Sequence, residues 1–398
     1  MSDNHNNETI DSGKAADLID HFLRDTEKSM DLQREGVDQL KFICSKLAKS
    51  LSEDIPDFVE NLTRDPYWPK WTAPWWKIML LDDAGHGELL APEVVHAFLK
   101  GVNSHYIKTF PLTEDQIPEG CDPYRHILCL CAAGCVMRFA WNLSKTAHEK
   151  QTQQALHTQQ TQQALQPLNS LTAWNPREFL QWPGTMLREL QMEDGGFNCD
   201  EGAYLKKPQK SSVVSTLPCL EALLVRARAR HDDELDYTEE KMIIEKGVAY
   251  LSAHRLFRST KGNIIDKEWF APLFPRFYNY DILRGLEFMS RWYEFSGIAP
   301  DLPVIAESLE ILNSHLNEDG LLNAAEQSWT DWNLIYTDDG GWEGNGKGEA
   351  FTELSLCSSQ PIAGAVLTAR AREVMERLKR CMQQGDPKCG RLNMTAKS

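Results

Sequence analysis

The segment Leu190-Gln191-Met192-Glu193-Asp194-Gly195-Gly196-Phe197-Asn198-Cys199 constrains the fold most. Gln, Gly four residues later and an aromatic two residues beyond read as a helix end, a tight turn and an aromatic plug. A similar turn stands at Leu316-Asn317-Glu318-Asp319-Gly320-Leu321-Leu322, and a looser one at Thr337-Asp338-Asp339-Gly340-Gly341-Trp342. Recurring helix–turn units of this kind predict an array of helical hairpins, because one hairpin cannot bury its apolar face alone.

Apolar spacing agrees. Leu18, Ile19, Phe22 and Leu23, then Leu40, Ile43, Leu47 and Leu51, recur at helical intervals. Further helices are predicted at about 73–85, 91–99, 126–143 (apolar on nearly all faces, hence buried), 176–191, 214–229, 239–254, 280–295, 302–316 and 360–383. Residues 107–124 hold three Pro and a Gly and read as a loop. No convincing period-two strand is found, so the expectation is all-α. Residues 1–15 read as disordered, 16–384 as one domain, 145–170 as a Gln-rich low-complexity insertion, and 385–398 as a loose tail.

Net charge and cysteines bound the partners. At a formal −16 the chain lacks the basic footprint that phosphate backbones need, so nucleic acid and anionic membranes are poor partners. The longest apolar stretch, His126 to Trp141, is short for a bilayer span and carries Arg138. A polar, acidic N-terminus is no secretory signal, and ten Cys without one imply reduced thiols in the cytoplasm.

Four segments occur in an order that resembles one family: Trp68-Pro69-Lys70-Trp71-Thr72-Ala73, the turn ending Phe197-Asn198-Cys199, His254-Arg255-Leu256-Phe257-Arg258-Ser259, and Tyr280-Asp281-Ile282-Leu283-Arg284-Gly285-Leu286-Glu287. They resemble the squalene-cyclase-like, or prenyltransferase/squalene-oxidase-repeat, proteins of the terpenoid cyclase and protein prenyltransferase superfamily, over about residues 65–375. The resemblance implies a single-domain α/α toroid, two concentric rings of helices around a cavity that holds isoprenoid chains. It makes Gln191, Gly195 and Phe197 structural staples. It implies a terpenoid-cyclase-like enzyme acting on a small apolar or prenylated substrate. The alternatives are a zinc-dependent prenyl or alkyl transferase and a non-catalytic binding toroid. Where relatives often carry Ser-Ser-Phe-His, this chain reads Ser211-Ser212-Val213-Val214.

The acids that start cyclisation sit in Asp-x-Asp-Asp, which this chain lacks. Leu81-Asp82-Asp83 reads as a solvent-facing helix end, and Asp339 lies in a Gly-rich loop. Asp232-Asp233-Glu234-Leu235-Asp236 matches a magnesium–diphosphate motif but follows three arginines and reads as a salt-bridged turn. The candidate catalytic residues are Asp281, Asp200, His254, Tyr280 and Asp339. Asp281 competes with a plain helix-cap reading, and pairing with Arg284 one turn on is expected. Trp71, Trp75 and Tyr278 are candidate substrate-binding aromatics, able to stabilise a cation through their π faces. Arg258, Arg276 and Arg284 are candidate anion clamps. Cys131 is a candidate for facing the cavity. Cys199, with Asp200 and His254, is the candidate metal position; zinc or magnesium is possible. Cys129 is expected to point away from Cys131.

Overall fold

A computed structural model describes residues 12–122, 126–143, 181–232, 235–327, 329, 333–337, 341–344 and 348–384. The predicted insertion, the C-terminal tail, all but the last few residues of the predicted N-terminal segment, and Asp339 lie outside these residues. The described chain is mostly helical. In order come α1 (Ser12–Asp25), α2 (Met30–Glu53), α3 (Ile55–Arg64), α4 (Pro74–Asp83), α5 (Pro92–His105), α6 (130–143), α7 (Gln181–Glu189), α8 (Glu201–Leu205), α9 (Val213–Asp232), α10 (Thr238–Ala253), α11 (Ile282–Ser296), α12 (Leu302–Ser314), α13 (Thr352–Cys357) and α14 (Gln360–Gln384). The third predicted turn is flanked by strands and not by a helix: β1 (Leu334–Tyr336) and β2 (Trp342–Gly344) pair antiparallel. Strands of three residues are too short to leave a period-two signature.

The architecture is an α/α toroid. Side chains of α4, α6, α9, α11 and α14 line one cavity of about 460 Å³. Outer helices stand behind them: α10 packs on α9 and α12 on α11, while α1 and α2 pack on α14 and close the ring. Gly134 lets α6 and α9 touch backbone to backbone, since a Cβ there would sit 2.7 Å from the Pro218 carbonyl oxygen.

Both Gly turns are built alike, which makes the repeat physical. In the first, the Met192 amide donates to the Gly196 carbonyl (2.9 Å) and the Phe197 amide to Thr216 Oγ1 (2.8 Å). In the second, the Asn317 amide donates to the Leu321 carbonyl (2.8 Å) and the Leu322 amide to Thr368 Oγ1 (2.8 Å). Gly195 and Gly320 both have positive φ, and a Cβ on either would lie 2.4 Å from a carbonyl oxygen of a neighbouring segment. Only glycine fits such a position without strain. Phe197 is fully buried, as a plug should be.

Gln191 works as a staple. Its Nε2 donates to Gly195 O and to Ile243 O on α10, each at 2.8 Å. Gln191→Ala leaves two carbonyls short of a donor and is expected to cost about 1–3 kcal/mol in urea unfolding. A change within about 0.5 kcal/mol, as at an ordinary surface site, would refute the role.

Candidate thiol and tyrosine site

Two features carry chemistry: the central cavity and a thiol cluster where α6 begins. The cavity is not the apolar chamber an isoprenoid needs. Arg138 from α6 reaches Asp82 Oδ2 (2.8 Å) and Glu221 Oε2 (2.5 Å). Arg284 holds the same Glu221 through Nε (2.8 Å) and Nη2 (2.7 Å). Arg276 meets Asp281 (3.0 Å) and Glu287 (2.7 Å), Arg291 meets Glu287 (2.6 Å), and Arg370 pairs with Asp83. Burial alone would raise the Glu221 carboxyl; Arg284 and Arg138 outweigh it and hold it down to about 2. Asp82 and Asp83 therefore face the cavity rather than solvent. Arg138 is the one charge in an otherwise apolar stretch, and it is what turns the α6 face polar.

This network absorbs several residues singled out in the sequence. Asp281 is fully buried, and its Oδ1 accepts from the Arg284 amide (2.8 Å), capping α11, while Oδ2 faces Arg276 Nε. The Arg284 guanidinium does not pair with Asp281; it is taken by Glu221. The fork of Arg258 holds Glu307 at 2.8 and 2.6 Å. Tyr280 is buried and donates to Leu256 O (2.7 Å). His254 Nδ1 lies 2.6 Å from Arg258 O, which fixes a loop. Asp200 is exposed and caps α8 by accepting from the Gly202 amide (2.9 Å). In the turn before α10, Asp236 accepts from the Thr238 amide (2.9 Å) and hydroxyl (2.7 Å), so its carboxylate is taken up within that turn.

Zinc bound by Asp, Cys and His, as the resemblance implies, does not fit these residues: Asp200 is a cap and His254 is held by a loop carbonyl. The sulfurs gather differently. Cys129, Cys131 and Cys199 lie within 4.8 Å of one another, with Cys129 and Cys131 Sγ 3.1 Å apart. The expectation that Cys129 points away fails for a local reason. Cys129 precedes α6 and takes no helical spacing; its carbonyl accepts the Ala133 amide (2.9 Å), the bond that starts the helix. Cys199 arrives from the first Gly turn. Its sulfur accepts from the Cys131 amide (3.4 Å) and its own amide donates to Ser215 Oγ (3.1 Å). Cys129 and Cys199 are half-buried, Cys131 buried. Cys135 turns elsewhere, toward Phe277 O (3.5 Å).

The three thiols titrate as a group. Hydrogen bonds from Cys129, then from Cys131, Ser215 and the Cys131 amide, hold Cys199 well below the usual thiol range against its burial. Cys131 is pushed up, first by its bond to Cys129, then by Cys199 and by burial. For Cys129 the contact with Cys131 pulls down, but Cys199 and burial prevail and raise it.

Beside the sulfurs stand two tyrosines. Burial raises the Tyr67 hydroxyl, followed by its hydrogen-bonded neighbour Tyr278 and by Cys129 and Cys131. Tyr67 and Tyr278 are half-buried. Trp75 and Trp76, which both contact these tyrosine rings, are fully buried, and Trp71 nearly so. Trp71 and Trp75 are thus the wall behind the site rather than its lining; neither indole N–H has a hydrogen-bond partner among the described residues.

Sequence reasoning missed one more pair. Buried Asp65 accepts from the Tyr67 and Trp68 amides (2.8 and 2.9 Å), from Tyr106 Oη (3.1 Å), and faces His105 Nε2 (3.2 Å). His105 in turn stacks edge-on against His126. A second cavity of about 530 Å³ opens against Asp65 and Trp68. An Asp-x-Tyr-Trp-Pro run could have suggested a carboxylate folded back on its own turn; nothing local marked His105.

No protein-family model matches the chain, and no curated protein matches it. Among solved structures it is similar to a polysaccharide lyase at 11% identity and a TM-score of 0.42, over 91% of this chain and 98% of that one. That likeness bears on neither substrate nor activity. No described helix is long and apolar enough to cross a membrane.

Proposed function

We propose that the protein is a group-transfer enzyme whose reacting centre is the set Cys129, Cys131 and Cys199 beside Tyr67 and Tyr278. The observation that carries this reading is the convergence of three sulfurs within 4.8 Å, two of them half-buried, next to a hydrogen-bonded tyrosine pair. A sulfur that receives several hydrogen bonds is held as a nucleophile, and a neighbouring protonated phenol can donate a hydrogen bond or proton to a leaving group. The substrate class remains the one the sequence suggested, a small apolar or prenylated molecule carrying an electrophilic carbon. A cyclase that protonates an alkene has less support: Asp281 is committed to Arg276 and to its helix, and the central cavity is walled by ion pairs.

Alkylation of the chelator-treated full chain by iodoacetamide, mapped by peptide mass spectrometry, tests the reading. Cys199 is expected to react at least about tenfold faster at neutral pH than Cys121, which lies in a loop. Equal rates would overturn it. Diphosphate release from prenyl diphosphates, lost in Cys199→Ser, then checks the substrate class.

A further inference from the structure

We propose that Cys129, Cys131 and Cys199 bind one zinc ion, leaving its fourth position open to an external ligand. The inference deepens the group-transfer reading and rests on the same three sulfurs. Tetrahedral zinc with Zn–S bonds of about 2.3 Å sets its sulfurs about 3.8 Å apart. The Cys129 and Cys131 sulfurs lie 3.1 Å apart, and no two sulfurs of the trio are more than 4.8 Å apart. The three sulfurs are thus already gathered on the scale of one tetrahedral zinc ion.

Charge and support also fit. Three thiolates and Zn²⁺ sum to −1. That excess lies at the start of α6, where unsatisfied amides and the helix dipole favour negative charge. The Cys131 amide already points at Cys199 Sγ (3.4 Å), and Ser215 holds the Cys199 backbone (3.1 Å). Partners of this kind orient ligands around a metal. No fourth Cys, His, Asp or Glu joins the cluster among the described residues. Three protein ligands with an open position are the pattern of catalytic rather than structural zinc, and thiolates select zinc over magnesium. A thiol or hydroxyl substrate taking the open position would lose its proton to solvent.

Metal analysis of the purified full chain, with zinc loading followed by gel filtration, decides the matter. About one zinc per chain is expected, with three thiols masked from a thiol reagent and released by a chelator. Cys129→Ser and Cys199→Ser should each weaken zinc by more than the roughly 10–100-fold that loss of an outer partner costs. Cys135→Ser, on the same helix but bonded to Phe277 O, should keep the metal; helix content by circular dichroism confirms that each variant folds. Zinc absent after loading, zinc retained equally by all variants, or a chain two hydrogens lighter from a Cys129–Cys131 disulfide would each overturn the proposal. Zinc content and alkylation of the stripped chain can fail independently, so loss of this inference is distinguishable from loss of the group-transfer reading.

Discussion

Asp281→Ala is expected to destabilise the protein by about 3–5 kcal/mol, the cost of stranding one partner of a buried ion pair. The carboxylate has 0 % exposure and Arg276 3 %. Without Asp281, Arg276 keeps Glu287 but faces an emptied site, and α11 loses the acceptor for its Arg284 amide. Asp281→Asn should recover about 1 kcal/mol of this, since asparagine caps helices well. Chemical denaturation of both variants measures the difference. A catalytic acid behaves otherwise: activity would fall while the unfolding midpoint stayed in place. An unchanged midpoint in Asp281→Ala would therefore return this residue to the reaction.

Glu221→Gln is the second large effect, about 3 kcal/mol, because one carboxylate serves two buried arginines. Arg138 would retain Asp82, but Arg284 would lose its only charged partner, keeping the Asn279 carbonyl and a single neutral amide oxygen as acceptors. The same residue sets an acid response. Its carboxyl is depressed from the ordinary 4.5 to about 2 in the folded chain. A depressed carboxylate stabilises the fold fully above its unfolded pKa, and the contribution drains away as pH falls through the folded one. Glu287, held down by Arg291 and Arg276 against its burial, adds in the same direction. Thermal melts should thus fall steeply between pH 4.5 and pH 2, and the slope should be shallower in Glu221→Gln. Parallel slopes for the two proteins would remove Glu221 as the cause.

What the sequence revealed follows the range of the interactions involved. The staple Gln191, the αL glycine Gly195 and the plug Phe197 lie within seven residues, so their roles are written in local spacing. Helix positions follow from the same logic, since burial repeats every turn. The thiol site does not. Cys131 and Cys199 are 68 residues apart, and Cys129 sits just outside α6, where a helical wheel misplaces it. The ion-pair ring was equally hidden: Arg138 finds Asp82 at a separation of 56 residues and Glu221 at 83. Asp281 shows a third case. A carboxylate ahead of a helix is the same in sequence whether it caps, pairs or reacts, and only Arg276, brought round by the preceding loop, decides.

The ring is closed by its two ends: Arg372 on α14 donates to Thr26 Oγ1 across 346 residues of chain. During synthesis this has a cost in time. The apolar stripe of α2 that α14 covers leaves the ribosome early and waits for its partner. At about 5–20 residues per second, the wait is roughly 17–70 s. Throughout it the face of α2 around Gly36, which packs against Ala365, stands uncovered by α14, so this protein's exposure to aggregation is set by the interval between its first and last helices.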